Sequence, residues 1–114
     1  MQFTKLEKMF RVSRITGTQD NILGIVFSEN KNETINVIEW KTKKGATIKT
    51  TAPQVLEQVE FGLKKANEEL GKNYQLSEIH FLPSESASNS VYEFLIQALV
   101  QRYDSDGEFR DLKS

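Results

Sequence analysis

The chain has 114 residues, no cysteine, and a formal charge of −1 from 15 Lys and Arg against 16 Asp and Glu. That length suits one core and one domain over 1–114, and the missing thiols exclude disulfides, a cysteine nucleophile and thiolate metal sites. A near-neutral charge supplies no global field toward nucleic acid or an anionic membrane. No stretch reaches the roughly 20 apolar residues of a membrane span, and the opening MQFTKLEKMF lacks the apolar run of a signal peptide, so a cytoplasmic protein is expected.

In chain order, Phe3, Leu6, Met9 and Phe10 fall at a spacing too short to define an element. Phe10, Val12 and Ile15 suit a strand over 8–16 with a bulge. Residues 17–21, GTQDN, read as a hairpin loop, and 22–27, ILGIVF, as a central strand. A second turn is expected over 29–33; the overlapping sequon Asn32-Glu33-Thr34 reads as a turn because no export signal accompanies it. Over 34–42, Ile35 and Val37 alternate imperfectly with Ile38 and Trp40, a strand partly covered on both faces. Lys43, Lys44 and Gly45 then turn into a short fourth strand over 46–50.

Thr51, Pro53 and Gln54 form a helix start: a capping hydroxyl, proline in the first turn, and a glutamine three residues after the cap. This predicts a helix to about Leu70, stopped by Gly71, with an apolar stripe of Val55, Leu56, Val59, Leu63, Ala66 and Leu70 suited to lying on a sheet. Residues 76–82 read as a fifth strand. Ser90 with Glu93 gives a second capping box, opening the helix SVYEFLIQALVQRY. That helix is apolar over roughly two-thirds of its circumference. Val91, Phe94, Leu95, Ala98 and Leu99 make one face, and Tyr92, Ile96, Val100 and Tyr103 widen it. Phe94, Leu95, Ala98 and Leu99 are expected among the most buried residues. The order β-β-β-β-α-β-α predicts an α+β domain, a mostly antiparallel five-stranded sheet with two helices on one face. The helical crossover before the fifth strand permits a parallel pairing.

Chemistry-bearing residues are sparse. The loop over 83–90, with Ser84, Ser86 and Ser88, lies between a strand end and a helix N-terminus, where backbone N–H groups can receive an anion. It has no glycine or basic residue, and Glu85 opposes a phosphate. His80, the one histidine, shares a strand face with Glu78 and Leu82 and has no nucleophile framed for it. One histidine without cysteine argues against a zinc site, and no cofactor is expected. Asp104-Ser-Asp106-Gly107-Glu108 resembles the start of a calcium loop, but its glycine comes two positions early; it reads as a frayed acidic segment that forms a patch with Asp111. Trp40 with Lys41, Lys43, Lys44 and Lys49 has the composition of a small nucleic-acid surface, yet alternation puts Lys41 and Lys43 on the face opposite the indole, which argues against that partner. Phe61 projects among Glu57, Lys64, Lys65 and Glu68, away from the apolar stripe, as a binding anchor with a charged rim does.

The expected function is therefore a non-enzymatic protein-binding domain. Its most concrete form is a bacterial toxin-neutralising protein, of the immunity or antitoxin kind, that covers a partner's active surface. Phe61 would be the anchor, and Asp104, Asp106, Glu108 and Asp111 would face a basic toxin domain. The alternative is a small enzyme or anion-binding protein using His80 with Ser84, Ser86 and Ser88.

Overall fold

The computed structural model describes residues 1–15, 20–30 and 34–113. Most of the expected loop at 17–21, and Asn32 and Glu33 of the sequon, lie outside the described residues. The strands are β1 (Gln2–Leu6), β2 (Met9–Ile15), β3 (Asp20–Phe27), β4 (Asn36–Glu39), β5 (Leu76–Phe81) and β6 (Arg110–Asp111). The helices are α1 (Ala52–Leu70) and α2 (Val91–Asp104). The class is α+β. One sheet has the order β4-β5-β3-β2-β1-β6, antiparallel from β5 through β1 and parallel at its two edge pairings, β4 with β5 and β6 with β1. The parallel β4–β5 pair is the one spanned by the α1 crossover. No helix among the described residues is long and apolar enough to cross a membrane.

The sheet has six strands rather than five, and two expectations change with it. Residues 46–50 form no strand. Ala46 N–H closes a turn on the Lys43 carbonyl with Gly45 at φ +85°, and the N–H groups of Lys49 and Thr50 both donate to the Pro83 carbonyl at 2.8 and 3.1 Å. Their backbone is thus satisfied at the end of β5 rather than along the outer edge of β4. The C-terminal acidic segment is not frayed: Arg110 and Asp111 pair with Thr4 and Lys5, and Leu112 N–H donates to the Lys5 carbonyl at 2.8 Å. The N-terminal residues form β1, returned into β2 through Glu7 at φ 55°.

Alternation gives the sheet two different faces. Val12, Leu23, Ile25, Ile79 and Phe81 are fully buried in one core with Val55, Val59 and Ala66 of α1 and Leu95, Ile96 and Leu99 of α2. On the opposite face the Trp40 indole lies over Gly24, where an added Cβ would stand 3.3 Å from the Trp40 ring and 2.8 Å from Met9 Sδ.

Helix α1 begins and ends where local chemistry places it. Gln54 Oε1 accepts the Thr51 N–H at 3.0 Å, and Gly71 turns left-handed at φ 65°. Helix α2 departs from expectation in two ways. Ser90 does not cap it through its side chain; Asn89 and Ser90 take φ 58° and 52°, and the Tyr92 N–H is capped instead by Gln58 Oε1 of α1 at 3.0 Å. Phe94, expected in the core, is 46% exposed, whereas Tyr92 and Ile96 are fully buried. The buried residues Val91, Tyr92, Leu95, Ile96, Leu99 and Val100 form an arc of roughly 180°, and Phe94 falls about 60° outside it.

Candidate functional site

Three cross-helix contacts, and a fourth from Lys72 just past the end of α1, mark the surface where α1 and α2 meet. Gln58 reaches Tyr92, Lys65 Nζ pairs with Glu93 Oε1 at 2.7 Å, Gln101 Nε2 donates to Glu69 Oε2 at 3.1 Å, and Lys72 Nζ lies 3.7 Å from Asp104 Oδ1. Partner numbers rise together on both segments, so the helices run parallel. Gly62 lets them approach: a Cβ there would fall 2.5 Å from the Glu93 carbonyl oxygen and from Ile96 Cγ2.

At one end of this seam Phe61 is 52% exposed, with Lys65 Nζ 4.5 Å from its ring centroid. It lines a groove of about 800 Å³ with Pro53, Leu56, Glu57, Ser90 and Glu93. The Lys65–Glu93 pair holds the cation that sits on the ring, so the aromatic is positioned before any partner arrives.

At the other end lies a pocket of about 530 Å³ beside Asp104. Six aromatic side chains converge here. Phe10 meets Phe27, Tyr103 and Phe109 at centroid distances of 5.7, 5.1 and 4.9 Å; Tyr74 meets Phe27 and Tyr103; and Phe3 meets Phe109. The β-bulge between Val26 and Phe27 adjoins this cluster. Tyr74 Oη donates to Asp104 Oδ1 at 2.6 Å. That hydrogen bond, with burial adding to it, pushes the Tyr74 pKa up to about 12, so the phenol stays a donor at physiological pH.

The structure gathers Asp104, Asp106, Glu108 and Asp111 at this end but interleaves them with cations. Arg102 Nε donates to the Glu108 carbonyl at 2.9 Å with its guanidinium over Phe3; Lys113 N–H donates to Asp111 Oδ1 at 2.9 Å; and Lys113 Nζ pairs with Glu7 at 3.1 Å. The surface is mixed in charge. No group of three or more His, Asp or Glu side chains suited to a metal ion occurs among the described residues.

No hydrogen bond or ion pair joins His80 to the serine loop among the described residues. His80 Nε2 pairs with Glu78 Oε1 at 2.9 Å on the helix-free face, beside Trp40. Arg11, not a lysine, stacks on that indole at 5.1 Å. Ser86 Oγ donates to Ser88 Oγ and accepts the Ser88 N–H, and the Ser86 carbonyl accepts from Asn21 Nδ2 at 2.8 Å. Ser84 lies half-buried in the same loop. In the loop Glu85 Oε2 is buried without a hydrogen-bond partner, as is the Tyr92 hydroxyl of α2. Burial drives the Glu85 carboxyl up to about 7, against an opposing Ile22 backbone hydrogen bond and with a smaller push from Asp20. Burial likewise pushes the Tyr92 phenol up to about 12, with the Asn21 side chain offsetting part of the rise.

No family model, curated protein or solved structure matches the chain. Reading the sequence alone missed Gln58, Gly62 and Tyr74. Of these only Gly62 left a signal: a glycine in mid-helix about 20° from Val55, on the edge of the buried stripe.

Proposed function

We propose that this protein is a non-catalytic binding domain that engages another protein along the outer seam of α1 and α2. The observation that carries the reading is Phe61, half-exposed at a groove and already held by Lys65. A pre-positioned aromatic gains contact area with little loss of side-chain entropy, which is how interface anchors act. Phe61 and Leu70, the last residue of α1, are nine residues apart, about 13 Å along the helix, so one interface of about 800 Å² per partner can span both the groove and the Asp104 pocket. Covering the active surface of a toxin is the concrete form of this function that we favour. The mixed charges around Asp104 suit a partner recognised by local complementarity rather than by a strong basic field. An anion-binding role for the serine loop has less support, because Gln58 already occupies the Tyr92 N–H.

The test uses wild type and Phe61→Ala as paired baits in the native cell extract. A stoichiometric protein captured by wild type and by Phe94→Ala, but lost with Phe61→Ala, supports the reading. With the purified pair, Phe61→Ala is expected to weaken binding by about 2 kcal/mol or more, mainly through faster dissociation. A stoichiometric partner whose affinity ignores Phe61→Ala would refute the seam as the interface.

A further inference from the structure

The pocket beside Asp104 has a chemistry that a general protein-binding surface does not require. Its aromatic walls stand close to right angles: Phe10 and Tyr103 at 79°, Tyr74 and Tyr103 at 84°, Phe10 and Phe109 at 75°. Lys5, Lys72, Asp104, Asp106 and Gly107 complete the lining. We infer that this pocket binds an alkylammonium cation, packed against these rings with its charge toward the two carboxylates.

Ring faces are electron-rich and attract a cation, whereas ring edges carry the positive end of the quadrupole, so the faces left open to the pocket are what these walls offer. The chain's own Lys5 Nζ lies 5.4 Å from the Phe10 centroid, so an ammonium group already occupies one of these faces. Tyr74 fixes the Asp104 carboxylate through the 2.6 Å hydrogen bond and leaves it able to accept a second partner. Its present second partner, Lys72, is loose at 3.7 Å and about half exposed, so an incoming ammonium can displace it into water without leaving a buried charge unpaired. A neutral apolar ligand would leave those carboxylates unused, and an anion drawn by Lys5 and Lys72 would still stand beside Asp104 and Asp106. Tyr103 is itself accessible to a ligand.

The inference is independent of Phe61 and is tested on the isolated chain. Choline and its uncharged isostere 3,3-dimethyl-1-butanol are titrated while amide shifts are followed by NMR. Choline is expected to give saturable shifts centred on Tyr74, Tyr103, Asp104 and Phe109, and to bind about tenfold more tightly than the alcohol. Tyr103→Leu, which keeps bulk, and Asp104→Asn, which keeps the acceptor for Tyr74, should each weaken choline by about fivefold or more, while Phe61→Ala leaves it unchanged. Nα-acetyl-lysine amide, titrated in parallel, distinguishes the sources: tighter binding than choline points to a lysine of a protein partner, weaker binding to a free quaternary amine. Equal affinity for choline and the alcohol, shifts centred elsewhere, or no saturable shift would overturn the inference.

Discussion

Gly62 shows how one missing methyl group sets the spacing of two helices. Replacing it with alanine raises helix propensity by about 1 kcal/mol, while overpacking costs about 1–3 kcal/mol. The obstruction includes the Glu93 carbonyl, which is backbone and cannot rotate aside, so overpacking wins. Gly62→Ala is expected to lower stability by up to about 2 kcal/mol, read as a lower denaturant midpoint; an unchanged midpoint would mean that α1 and α2 part freely. Gly24→Ala should be milder, because the nearest obstacle is the flexible end of Met9. Tyr74 makes a complementary point. It lies in no periodic element, yet it supplies both an aromatic wall and the hydrogen bond that orients Asp104. Nothing local to it in sequence announces either role.

At the scale of elements, α2 is the informative case. Its pattern of apolar residues was legible, but the direction of the buried arc was not, because more rows are apolar than its neighbours cover. Leu95→Ala should cost about 2–5 kcal/mol, since Leu95 is fully buried, whereas Phe94→Ala should cost no more than about 1 kcal/mol, the scale of its contact with Arg14. Equal losses in the two variants would contradict the observed arc. The start of α2 depends on α1. Gln58 donates to the Ala87 carbonyl at 2.8 Å and accepts from the Tyr92 N–H at 3.0 Å, so Gln58→Ala leaves both backbone groups without that partner. A loss of about 1–3 kcal/mol is expected, with faster hydrogen exchange at Tyr92. A variant that destabilises without affecting that amide would place the role of Gln58 elsewhere.

For the whole molecule, stability should depend on pH through Glu85. Its carboxyl titrates near 7 in the folded chain, against 4.5 in the absence of the fold, so the folded state holds the proton more tightly. The sign follows from linkage: as pH rises from about 4.5 past about 7 the unfolded chain ionises first, and stability falls. Glu85→Gln should therefore melt higher than wild type above about pH 7 and show a flatter profile across this window, checked by thermal unfolding at a series of pH values. Wild-type and variant curves that run parallel would remove Glu85 as the cause. The sequence alone determined the α+β class, the central strand β3, and both ends of α1. Those features are closed within a few residues, as when Gln54 bonds Thr51 or Gly71 turns left-handed. Only the tertiary structure decided the edges and the site. The two-residue strand β6 carries no periodicity of its own, and the Glu7–Lys113 pair beside it joins residues 106 apart. The six rings of the cluster beside Asp104, four of which line the pocket, come from β1, β2, β3, α2 and the segments flanking β5 and β6, and they meet because each loses contact with water against the others and the core. Burial depends on distant partners, and no local pattern encodes which of those partners will arrive.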